Sequence, residues 1–122
     1  MAMIQCRFFS GYKPCSRSAT CDAQCVHFQK GEPRVLIIHL DALGAVLRAT
    51  SVLPALKRRF PNSHVTWLTR APADQFFKHN SQVDRVLKLD ASTPLILKAL
   101  SFDIAFVIDK SIEATGLLKM TN

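Results

Sequence analysis

Beyond Cys25 the sequence has no cysteine: all four, Cys6, Cys15, Cys21 and Cys25, fall near the start of a 122-residue chain. Long apolar runs are also missing. The longest, Val35 to Leu40, already contains His39 and is far shorter than the ~20 residues that span a bilayer. The first fourteen residues mix Gln5, Arg7 and Lys13 into their apolar stretch, so they offer no h-region of a secretion signal, and a cytoplasmic location is expected. No internal repeat, low-complexity tract, G-x-G-x-x-G fingerprint or Walker motif can be written on the chain.

What is present suffices for one ordinary domain with a packed core: 48% of residues are hydrophobic and 20% charged, which excludes wholesale disorder. Sixteen Lys and Arg against nine Asp and Glu leave a net charge of +7, a balance that favours phosphate-bearing partners without choosing among them. The charges are scattered. The only run of three, Lys57-Arg58-Arg59, reads as the solvated last turn of a helix complementing its dipole, so the charge pattern does not point to nucleic acid.

The chain reads as two parts. Residues 1–33 hold the cysteines together with Gly11, Pro14, Gly31 and Pro33, and show neither a helical nor a strand period. Residues 34–122 alternate apolar runs with polar turns, and Pro33 favours an extended start to them. Arg34 to Leu40 is a β-branched run of the kind buried on both faces of a sheet. Leu43 to Phe60 places Val46, Ala49, Leu53, Leu56 and Phe60 on one helical stripe, with a kink expected at Pro54. Val65 to Thr69, Arg85 to Leu89 and Asp103 to Asp109 are further strands. Pro72 to His79, Thr93 to Leu100 and Ile112 to Met120 are further helices.

Strands alternating with helices predict a Rossmann-like α/β domain: a parallel sheet with helices on both faces. Its ligands bind beyond the carboxyl ends of the strands. That directs attention to Asp41–Gly44, Arg70 and Asp109–Ser111. The turn Leu40-Asp41-Ala42-Leu43-Gly44-Ala45 feeds straight into the first helix, and Gly44 would let a ligand come close. As a plain structural alternative, Asp41 caps that helix, and Asp109 caps the last helix or pairs with Lys110 or Arg48. Trp67, Phe76 and Phe77 are expected in the core, with His39 a hydrogen-bonded core histidine. His64 and His79 are expected to be solvated.

The cysteines follow the spacing C-x8-C-x5-C-x3-C, with His27 two residues beyond the last. Four thiolates suit a tetrahedral structural zinc or an iron–sulfur cluster, and a small segment without a core needs such a staple. Two disulfides or four unpaired thiols are the rival accounts. A reducing cytoplasm disfavours the first.

Arg34 to Arg48, Thr50, Leu53-Pro54-Ala55-Leu56-Lys57, Phe60-Pro61 and Val65-Thr-Trp-Leu68 together resemble the opening of glycosyltransferase family 9, the ADP-heptose:lipopolysaccharide heptosyltransferases and their relatives. Val83-Asp84-Arg85-Val86 and Phe102 to Asp109 match two later landmarks in order, so the resemblance covers about residues 34–115. It implies the acceptor-side N-terminal part of a GT-B enzyme of two Rossmann-like domains. That enzyme would take a nucleotide-sugar donor and a lipopolysaccharide-type glycan acceptor, need no metal for the transfer, and work in the cytoplasm or at the periphery of the inner membrane. The donor half is not in this chain, so no activity is expected from it alone. An apolar edge around Leu117 and Leu118 should be left exposed.

Where the family typically has an aspartate after the glycine of the first turn, proposed as the base, this chain has Ala45. A methyl group accepts no proton. Asp41 and Asp109 are the remaining catalytic candidates, with Gly44 and Arg48 as candidate acceptor-binding residues. The competing function is a non-catalytic, metal-stabilised α/β module that binds a phosphorylated or nucleic-acid partner.

Overall fold

β-branched and aliphatic side chains fill both faces of the first two strands, and their burial organises everything else. In the computed structural model, β1 (Arg34–Ile38) and β2 (His64–Thr69) are the central strands, with β3 (Arg85–Lys88) and β4 (Ile104–Val107) outside them in the order β3-β2-β1-β4. All pairings are parallel, with Ile37 opposite Trp67 on one side and Phe106 on the other. The structure describes residues 6, 8, 25, 26, 29 and 32–121. The chain divides into two units, Met1–Glu32 and Pro33–Asn122, and the sheet belongs to the second.

The helices are α1 (Leu43–Ala49), α2 (Val52–Arg59), α3 (Thr93–Ala99) and α4 (Ile112–Lys119), with a 3₁₀ helix at Ala73–Phe77. Alternating strand residues build two cores. Val35, Ile37, Val65 and Trp67 pack with Val46, Leu53, Leu56 and Phe77 under α1, α2 and the 3₁₀ helix. Leu36, Ile38, Leu40 and Leu68 pack with Leu97, Ala114 and Leu117 under α3 and α4. Each fully buried aliphatic side chain contributes about 1.5–3 kcal/mol of transfer free energy. Trp67 and Phe77 add a tilted ring pair with centroids 4.7 Å apart, worth about 0.5–1.5 kcal/mol beyond area. The Rossmann-like sheet with helices on both faces is thus the one the periodicity predicts.

Several expectations are corrected. The long helix over 43–60 is two helices, and the break falls at Thr50–Ser51, four residues before Pro54 rather than at it. Proline has no N–H to give the carbonyl of residue 50, and its ring crowds that carbonyl, so the disturbance appears one turn upstream. The Pro72–His79 helix is only a 3₁₀ segment. Leu117 is buried and Leu118 packs against the second core, so the apolar surface lies elsewhere: Phe106 and Ile108 are about 40% exposed and Ile112 is 83% exposed. His64 is buried rather than solvated, and Phe76 is 38% exposed rather than core.

Three aspartates lock the strands in place. Asp84 accepts from the Val65 amide at 2.8 Å and Asp103 from the Arg34 amide at 2.7 Å, both at the amino edge of the sheet. Asp109 does the same at the carboxyl edge, for the Leu40 amide at 2.9 Å. Asp84 and Asp103 each stand just before an outer strand, β3 and β4, where a carboxylate can reach an amide at the start of the neighbouring central strand.

Candidate functional site

The chain leaves β1 toward β2 and β3 on one side, then returns to place β4 on the other. The order therefore reverses between β1 and β4, and the carboxyl ends of these strands form the switch point where doubly wound sheets bind ligands. Asp41 follows β1 there and Asp109 follows β4.

Asp109 is committed on both oxygens. Oδ2 accepts from the amides of Leu40 and Asp41, at 2.9 and 3.2 Å, and Oδ1 accepts from the Ser111 amide at 2.7 Å. Its side chain is 9% exposed. Burial alone pushes its carboxyl upward, but the hydrogen bonds from Ser111, Leu40 and Asp41 together outweigh burial and hold it at about 2. Neither Lys110 nor Arg48 is its partner, contrary to the sequence-based alternative. The cap of α4 is Ser111, whose hydroxyl accepts from the Ala114 amide at 3.1 Å.

Asp41 is the open carboxylate of the pair. Its side chain is 62% exposed, and Oδ2 accepts from Arg70 Nε at 3.2 Å. It does not cap α1: the N-cap is Ala42, without a side-chain hydrogen bond. Arg70 follows β2 at the same edge, so strand ends alone bring the two together. Gly44 is exposed, and a Cβ built on it would meet nothing within 4 Å. Packing within the chain therefore does not demand glycine here. Ala45 is half-buried beside it, and Arg48 is exposed one turn further along α1.

His39 is the residue whose surroundings the sequence did not reveal. It is buried, as expected, but Nδ1 has no hydrogen-bond partner and lies 3.9 Å from Asp109 Oδ2. Only the pairing of β1 with β4 brings these residues together, although they are seventy positions apart. No periodicity carries that information.

Cys6 and Cys25 are half-buried free thiols. Cys15 and Cys21 lie outside the described residues, so the four-cysteine site cannot be assembled from what is described. Among the described residues no cluster of three or more His, Cys, Asp or Glu side chains forms a metal site.

A parallel sheet in the order 3-2-1-4, with its polar residues gathered at the switch point, defines the class as a Rossmann-like α/β domain. Within that class the chain is similar in structure to a glycosyltransferase of family 9 from Veillonella parvula, with a TM-score of 0.65 and 19% sequence identity. The match covers 76% of this chain and 30% of that one, so the chain spans under a third of that enzyme's length. No family model matches the sequence. No curated protein matches it either. The fold is glycosyltransferase-like.

Proposed function

We propose that residues 34–122 form the acceptor-side part of a heptosyltransferase-like glycosyltransferase. It takes a sugar from an ADP-heptose-type nucleotide-sugar donor and passes it to a lipopolysaccharide-core or other surface-glycan acceptor. The observation that carries this reading is the switch point itself: an exposed carboxylate, Asp41, beside Arg70 and an uncrowded Gly44, on a sheet shared with a family 9 glycosyltransferase fold. Donor binding is assigned to a second domain outside these residues, as a GT-B arrangement requires.

In this reading Asp41 accepts the proton of the acceptor hydroxyl as it attacks the anomeric carbon, replacing the base that Ala45 cannot supply. A carboxylate is suited to this only if it is accessible and ionised, and Asp41 has the exposure that Asp109 lacks. Asp109 instead holds the Leu40–Asp41 backbone, and so positions Asp41. Gly44 leaves room for the sugar, and Arg48 presents a cation to a phosphorylated core glycan. No metal enters the transfer, and the cysteines are assigned a structural zinc or iron–sulfur role.

Amide chemical-shift mapping on this chain tests the assignment. A phosphorylated heptose-core oligosaccharide should shift the resonances of Asp41, Gly44, Arg48 and Arg70, and ADP-sugar should leave them in place. Shifts produced by the nucleotide sugar alone at these residues would reverse the assignment of acceptor and donor sides.

A further inference from the structure

A cleft of about 400 Å³ lies between the 3₁₀ helix and β3, lined by Asp74, Gln75, Lys78, Val86 and Lys88. Its volume falls within the roughly 300–1,000 Å³ of small-molecule sites, and the switch point uses none of these side chains. Lys78 is the C-cap of the 3₁₀ helix and Lys88 the last residue of β3. Strand alternation puts Lys88 on the same side of β3 as Val86, which packs against the first core. Two cations from different elements are thus brought to one concave spot.

The charges there are unmatched. Arg34, Lys57 and Arg70 each pair with an aspartate, whereas neither Lys78 nor Lys88 has a carboxylate partner among the described residues. Asp74 is engaged on one oxygen only: Oδ2 accepts from Gln75 Nε2 at 3.1 Å, and Oδ1 is buried without a donor. Buried acceptors are ordinarily satisfied, so this carboxyl group calls for one.

We infer that the cleft holds an acidic sugar, a polyhydroxylated ring bearing a carboxylate or a phosphate. Ammonium groups are compact charges with three donors each and suit the oxyanion. The Asp74 carboxylate only accepts, so it suits ring hydroxyls and opposes a bare anion. A neutral sugar would leave both cations unmatched. A nucleobase would find no aromatic side chain in the lining to stack on.

The cleft stands at the same sheet edge as Asp41. Lys88 lies opposite Thr69 in the register, and Arg70, the next residue, donates to Asp41. Two strand spacings, roughly 10 Å, separate the end of β3 from that of β1. The inference deepens the proposed function and, for this placement, rests on it: the acidic sugar is a neighbour of the one whose hydroxyl Asp41 deprotonates.

Amide-shift titrations of this chain with monosaccharides test the cleft without any turnover. Millimolar glucuronate or glucose 6-phosphate should shift Gln75, Lys78, Val86 and Lys88 saturably, and the tighter of the two identifies the anion as carboxylate or phosphate. Glucose and inorganic phosphate at matched ionic strength should shift them far less. Lys78→Gln with Lys88→Gln should weaken the acidic sugar about tenfold, since an exposed ion pair is worth up to about fivefold. Asp74→Asn should weaken the sugar acid without weakening inorganic phosphate. Arg58→Gln with Arg59→Gln, an equal charge change outside the cleft, should have no effect. All these side chains lie at the surface, and unchanged thermal unfolding verifies that the variants fold.

Any of three results would overturn the inference: no shifts with either acidic sugar, equal shifts with glucose or with inorganic phosphate, or equal weakening in the Arg58/Arg59 variant. An empty cleft, with the oligosaccharide still shifting Asp41 and Arg70, would leave the transferase reading standing. Acidic-sugar binding in the cleft without those shifts would remove that reading and keep the site.

Discussion

Asp109 and Asp41 stand at the same sheet edge, yet one is spent on backbone amides and the other is left open. The folded carboxyl of Asp109 sits at about 2, below its ordinary value of 3.8. The stability it contributes is therefore complete above pH 3.8 and is lost as pH falls toward and through about 2. A difference of nearly two units corresponds to roughly 2 kcal/mol. Asp109→Asn should lower unfolding free energy by about that amount in urea titrations at neutral pH, and should flatten the stability profile between pH 4 and 2. Asp41→Asn touches only the exposed pair with Arg70 and should cost under ~1 kcal/mol. In a transferase that includes the donor-binding domain, the same change should lower turnover by about 10²–10⁴ in a sugar-transfer assay, and Ala45→Asp should raise it. Unchanged turnover in both variants would place the base elsewhere.

At the scale of elements, local chemistry marks the start of α4 and the break between α1 and α2. Ser111 satisfies the Ala114 amide of α4, so Ser111→Ala should destabilise the domain by about 1 kcal/mol, seen as a lower midpoint in thermal unfolding. Pro54 disturbs the helix one turn before itself, because its effect acts through the carbonyl of residue 50. The helical stripe from Val46 to Phe60 was legible because its period persists across the break: the same residues face the core in one helix or two. The position of the break was less legible, since hydrophobic spacing does not register a lost hydrogen bond.

For the whole molecule, the two sheet edges differ. The β3 edge carries Arg85 and Lys88, whereas β4 exposes Ala105 and Phe106. Charged edge strands resist pairing with other chains and apolar ones invite it. The isolated chain should therefore self-associate in sedimentation velocity as concentration rises, and Phe106→Lys should shift it toward monomer. The cysteine spacing carries a separate expectation: metal analysis should find about one zinc, or iron–sulfur absorbance, per chain. Four freely titrating thiols in a metal-free preparation would end that proposal.

The alternation of apolar runs with turn residues determined the fold class and the approximate place of every strand, because burial on both faces of a parallel sheet leaves a signature in each strand by itself. It also singled out Asp41, Arg70 and Asp109, since ligand sites of such sheets follow strand ends. It could not assign their duties. Which aspartate is buried against amides and which is open, and that His39 faces Asp109, depend on β4 lying beside β1 rather than beyond β3. That adjacency is a long-range choice made by packing two cores at once. Asp109 acquires its lowered pKa, and the hydrogen bonds to residues nearly seventy positions away that help to cause it, only after it is made.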